Sequence, residues 1–237
     1  MQTGSCEVLA VDLPASGNSL PQTGVERQKQ LSLQLMIVNQ LLTKDDLPAA
    51  LISSSGRAIL GFWYAYQTRA NNKKPLLPLV FLEPAFRFDA STKAYIESCL
   101  TFFNQGYKTL DQAVEAWDAC ELKKIKFDSD DDKKAYISKH LRPDGRLLQP
   151  NASEARKAQV MGTRTFNLLA DKEPIQNPTL VLWGSESRGV NLFGAEVNRV
   201  FPGHQSKTIR GSGHPLALYR ESEITEIKKF LKANKIG

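Results

Sequence analysis

Apolar runs alternate with polar turns along most of the chain. The run Pro48 to Ile52 stops abruptly at Ser53, Ser54, Ser55 and Gly56, and a helical pattern follows through Ala58, Phe62, Trp63 and Ala65. This pattern predicts a buried strand over 49–52, a sharp turn, and a helix starting near Gly56 that packs back on the strand. Three later runs have the same strand character. Leu77 to Leu82 ends in Glu83-Pro84, Pro178 to Trp183 ends in Gly184-Ser185-Glu186, and Gln205 to Arg210 ends in Gly211-Ser212-Gly213-His214. A further short strand is predicted at Glu7 to Val11, followed by turn residues. Helical spacing recurs over 28–43, 192–200 and 221–233. Strand, helix and strand joined by short connections imply an α/β fold with mostly parallel neighbours.

The alternation is interrupted over 86–175. Helical patterns run from Ala94 to Phe103, Leu110 to Leu122, Asp131 to Leu141 and Glu154 to Leu169, with no strand-like run among them. The organisation expected is a discontinuous core, 1–85 and 176–237, with 86–175 as a helical insertion placed to cover a site as a cap. The acids Asp130, Asp131 and Asp132 after Ser129 read as helix capping, where negative charge suits the N-terminal dipole, and not as a metal cluster.

Composition narrows the class. The 237 residues are 41% hydrophobic and 24% charged, as in an ordinary globular chain. No apolar run approaches the ~20 residues of a membrane span, and the N-terminus lacks a basic and apolar leader, so a cytoplasmic protein without membrane association is expected. The net charge of +6 comes with lysines at 123, 124, 126, 228, 229, 232 and 235, which read as solvated helix faces and not as a nucleic-acid surface. Cys6, Cys99 and Cys120 are scattered, consistent with free thiols in a reducing compartment. No metal or organic cofactor is expected.

Four stretches, in order, resemble the α/β-hydrolase family, especially its cap-bearing members. Asp12-Leu13-Pro14-Ala15-Ser16-Gly17-Asn18-Ser19 resembles the D-x-P-G-x-G-x-S loop, with Ala15 replacing a glycine. Ser54-Ser55-Gly56-Arg57-Ala58 resembles the second half of G-x-S-x-G-G-A. Pro178 to Gly184 resembles the strand before the family's usual acid, and Gly211 to Leu216 the loop carrying its histidine.

The resemblance implies a serine hydrolase with a Ser-His-acid triad, acting on a small ester, thioester or amide-like carbonyl compound. Ser54 is the expected nucleophile, because Gly56 then stands two residues after it; Ser55 is the fallback and, in the first frame, the oxyanion donor. His214 is the expected base. His140 falls in the insertion and His204 in a surface-like turn. The acid is left between two residues. Ser187 stands where the family usually has Asp, Glu186 is one position early, and Glu83 ends the preceding strand, where haloalkane dehalogenases and some other relatives place their acid. The aspartate-nucleophile chemistries of dehalogenases and epoxide hydrolases are disfavoured by Ser54.

Departures from the pattern support a second expectation. Ile52 and Arg57 replace small residues of the elbow, and only about six residues precede the first predicted strand. The family's early strands and the H-G-type loop that donates one oxyanion N–H are therefore expected to be missing. The alternative is a non-catalytic pseudo-hydrolase that binds a small ligand or a protein partner. A sheet without those strands also exposes an edge, which invites pairing with a second copy of the chain.

Overall fold

The computed structural model describes residues 33–34, 36–38, 40, 50–69, 76–88, 90, 102, 106–120, 127, 129–140, 166–187, 194–212 and 221–236. The strand expected at 7–11, the loop at 12–19, the histidine loop from Gly213 with His214, and most of the helices expected over 28–43, 94–103 and 154–169 lie outside the described residues. The chain divides into two units. One holds the described residues of Leu31–Arg87 and Asn167–Gly237, the other those of Phe88–Phe166.

The described residues of the first unit build a four-stranded parallel sheet. β1 (Leu51–Ser54), β2 (Leu79–Leu82), β5 (Thr179–Gly184) and β6 (Gln205–Ile209) lie in the order β1-β2-β5-β6. β1 pairs with β2 from Leu51↔Leu79 to Ser54↔Leu82, and β2 with β5 from Leu79↔Thr179 to Leu82↔Leu182. β5 pairs with β6 from Leu180↔Gln205 to Gly184↔Ile209. The register brings the C-terminal ends of β1 and β2 side by side, so Ser55 and Glu83 follow paired residues.

Alternate side chains of the central strands point to opposite faces, and each face is covered by helices, as a parallel sheet requires. On one face Leu79, Phe81, Val181 and Trp183 pack with Ala58, Phe62 and Ala65 of α1 (Ala58–Thr68) and with Val197 and Val200 of α4 (Gly194–Val200). Phe62, Phe81, Phe86 and Phe201 form an aromatic cluster there, with ring centroids 5.2–6.3 Å apart. On the other face Val80, Leu82, Leu180 and Leu182 pack with Ile227 and Phe230 of α5 (Glu221–Ala233). β2 and β5 are buried along their whole lengths. β1 is the outer strand of the described sheet, and Ile52 on it is 42% exposed. The continuous burial expected of 49–52 is therefore replaced by an edge strand.

The second unit is helical. α2 (Leu110–Ala119) is capped by Thr109, whose side chain accepts from the Gln112 N–H. Before α3 (Asp130–His140), Ser129 Oγ accepts from the Asp132 N–H at 3.1 Å and donates to Asp132 Oδ2 at 2.7 Å. This is the capping arrangement expected of the acidic run. Trp117, Phe102, Tyr107, Ala113 and Ile137 form the unit's own core. Where the chain passes from one unit to the other and back, two short strands, β3 (Arg87–Phe88) and β4 (Phe166–Asn167), pair with each other, where the sequence pattern gave no strand. Among the described residues no helix is long and apolar enough to cross a membrane.

Candidate active site

The serine turn is built by the end of β1. The strand runs on through Ser53 and Ser54, two residues beyond its expected end, because both serines stay in register with Phe81 and Leu82 of β2. Ser54 is accordingly in ordinary extended backbone, φ −127 and ψ 145. The chain reverses at Ser55, whose φ of +49 lies in the left-handed region. A single 3-10 turn, Ser55–Arg57, then leads into α1. A non-glycine residue in this conformation costs about 1–3 kcal/mol and persists only where surrounding structure imposes it. Here the Ala85 N–H donates to the Ser55 carbonyl at 3.0 Å, tying the turn to the segment after β2. The turn thus falls one residue later than the Ser54 frame expects.

The glycine on which that frame rested is not what brings strand and helix together. Open space surrounds the position of a Cβ on Gly56. The close approach is at Gly61, where an added Cβ would meet Ser53 Oγ at 2.7 Å and Phe81 Cε1 at 3.1 Å. Ser53 therefore occupies the tight position facing α1, its Oγ buried and without a hydrogen-bond partner among the described residues.

Glu83 sits across the strand ends from Ser55. Its φ is +48, a second left-handed residue, and it is only 2% exposed. Its N–H donates to the Leu182 carbonyl at 2.9 Å, and its side chain turns toward β5. Oε1 accepts from the Gly184 N–H and Oε2 from the Ser187 hydroxyl. Ser187 is itself fixed, its N–H donating to the Gly184 carbonyl at 3.0 Å.

The chain leading to the expected histidine loop is also held. The Ser212 carbonyl accepts from the Glu186 N–H at 2.9 Å, and Ser212 Oγ donates to Glu223 Oε1 at 3.2 Å, both side chains buried. Glu223 lies in the first turn of α5.

This arrangement can be set beside solved structures. The chain superposes on an α/β-hydrolase from Novosphingobium aromaticivorans with a TM-score of 0.64 at 18% identity, covering 93% of this chain and 78% of that one. It superposes on MenH from S. aureus with a TM-score of 0.61 at 22% identity, covering 95% and 83%. An esterase from Exiguobacterium antarcticum gives 0.61 at 16% identity, covering 93% and 79%. The fold is that of the α/β-hydrolases. No protein-family model matches the chain, and no curated protein matches it in sequence.

Within this α/β-hydrolase fold, the expected site residues separate clearly. Ser55 and Glu83 are brought to neighbouring strand ends. Ser54 closes β1 one residue before the turn. Glu186 is exposed in the turn after β5, whereas Glu83 is buried. His204 lies in the turn after α4, its Nδ1 3.0 Å from the Phe201 carbonyl oxygen. His214 lies outside the described residues, and His140 is described only in its backbone. Sequence reasoning passed over Ser187 except as a missing aspartate, and it missed the Ser212–Glu223 pair altogether. The signal for the first was present, since a hydroxyl at an expected acid position suits a partner to an acid displaced one strand away.

Proposed function

We propose that the protein is a serine hydrolase acting on a small ester, thioester or amide-like carbonyl substrate, with Ser55 as nucleophile, His214 as base and Glu83 as the acid that orients His214. The observation that carries this reading is the left-handed backbone of Ser55 at the strand-to-helix turn. A serine there is thrust out above the sheet, and the strain is of the kind kept at functional sites. Hydrolases and esterases among the structural neighbours support the reaction class.

The steps follow from the roles. Ser55 Oγ attacks the carbonyl carbon as His214 takes its proton. The negative charge on the carbonyl oxygen falls to the N–H of the residue after the nucleophile, Gly56 in this frame. His214 returns the proton to the leaving group, and water then releases the acyl chain from Ser55 by the same route. Glu83, its two oxygens already held by Gly184 and Ser187, keeps the imidazole in the working tautomer and stabilises its cation. The helical unit, Phe88–Phe166, is read as the cap from its place in the chain order, between β2 and β5.

The test is hydrolysis of short-chain p-nitrophenyl esters and acyl thioesters. Ser55→Ala and His214→Ala should each lower kcat by at least a thousandfold while the fold persists. Hydrolysis by folded protein that Ser55→Ala leaves unchanged would overturn Ser55 as the nucleophile, and no hydrolysis of any such substrate would favour the pseudo-hydrolase.

A further inference from the structure

We infer that Ser187 is a positioning residue for the Glu83 carboxylate, an assignment that rests on the reading of Glu83 as the triad acid. Glu83 reaches the site from β2, but both hydrogen bonds drawn above come from β5 and the turn after it. The Gly184 N–H fixes one carboxylate oxygen and the Ser187 hydroxyl the other. A backbone N–H can only donate, so the Gly184 bond sets which oxygen faces β5. The Ser187 bond then sets the rotation of the carboxylate plane about its last torsion, which is otherwise broad and roughly two-fold. A carboxylate offers about four lone-pair sites, so these two bonds do not exhaust it.

The surroundings show that the hydroxyl is itself rigidly placed. Ser187 closes a turn on Gly184 through its own N–H at 3.0 Å, and the preceding Ser185 N–H is held by the Ile209 carbonyl at 2.9 Å. The donor therefore sits on a turn pinned to two strands. Glu83, with φ +48 and a Pro84 following it, has its backbone fixed by the N–H bond to Leu182. With both ends fixed, the Ser187–Glu83 bond defines where the acid presents its remaining lone pairs, and so where it holds the imidazole.

Steady-state hydrolysis of p-nitrophenyl acetate tests this in five proteins: wild type, Ser187→Ala, Glu83→Gln, the double variant, and Ser187→Thr as the conservative control. Ser187→Ala should lower kcat about tenfold with KM within about twofold, the size expected for a lost hydrogen bond to a charged group. Ser187→Thr should restore most of the rate. In the Glu83→Gln background, removing the hydroxyl should have no further effect, because Ser187 acts only through Glu83. A Ser187→Ala rate within about twofold of wild type, or a loss that adds in full to that of Glu83→Gln, overturns the assignment while Ser55 catalysis stands. Wild-type protein without turnover instead overturns the hydrolase reading, and turnover that Ser55→Ala leaves unaffected overturns the Ser55 triad; the positioning role falls with either.

Discussion

The Ala85 N–H donates to the Ser55 carbonyl across 3.0 Å, joining the turn after β1 to the segment after β2. Each of these strand ends carries a left-handed residue, Ser55 at φ +49 and Glu83 at φ +48. The parallel register that pairs Ser54 with Leu82 makes them neighbours. The relative geometry of Ser55 and Glu83, the proposed nucleophile and acid, is therefore set by one pair of strands and one backbone bond, not by two independent loops.

Strain at Ser55 should be measurable as lost stability. Ser55→Gly removes the Cβ penalty of the left-handed conformation and should stabilise the protein by about 1 kcal/mol, raising Tm by about 2–4 °C. It should abolish hydrolysis. Ser54→Gly changes an extended strand residue and should lower Tm. Thermal unfolding of the two variants side by side distinguishes the strained position from its neighbour.

Gly61 holds β1 against α1. Gly61→Ala places a Cβ 2.7 Å from Ser53 Oγ and 3.1 Å from Phe81 Cε1, both inside contact range. Overpacking of this kind costs about 1–3 kcal/mol, which denaturant unfolding should show. Ser53→Ala removes the nearest atom, a buried hydroxyl that has no partner among the described residues, so it should restore part of the loss in the double variant. Restoration should be incomplete, because Phe81 stays in place.

In the helical unit, burial first and the neighbouring Cys120 second push the Tyr107 phenol up to about 12. Its hydroxyl donates to the Phe102 carbonyl at 2.9 Å. The folded state favours the protonated phenol, so its stabilising contribution is complete below the ordinary tyrosine value of about 10 and is lost as pH rises through about 12. Thermal unfolding between about pH 9 and 12 should show this fall, and Tyr107→Phe should flatten it although it forgoes the bond to Phe102.

The four strands of the sheet, the flanking helices and the place of the serine turn are legible in the sequence because each rests on local pattern. Apolar runs of strand length and an amphipathic α5 need no tertiary information. The position of the turn, and so of the proposed nucleophile, within Ser53-Ser54-Ser55 is different. Three identical side chains carry no register, and a glycine two positions on suggested Ser54. The pairing of Ser53 and Ser54 with β2 extends the strand and moves the turn to Ser55. The close approach that a glycine usually marks falls a full helical turn later, at Gly61. Glu83 could be named from its place after a core strand. Its preference over Glu186 depends on which carboxylate is buried and hydrogen-bonded, a property of the pairing between β2 and β5 and not of either strand alone. Ile52 reads as buried by composition and is exposed because β1 is the outer described strand.

The central claim is that Ser55, and not Ser54, is the reactive hydroxyl. Labelling the folded protein with a fluorophosphonate and mapping the modified residue by peptide mass spectrometry tests it most directly. Label on Ser55, retained in Ser54→Ala and lost in Ser55→Ala, is the predicted result. Label on Ser54, or on neither serine of folded wild-type protein, would contradict it.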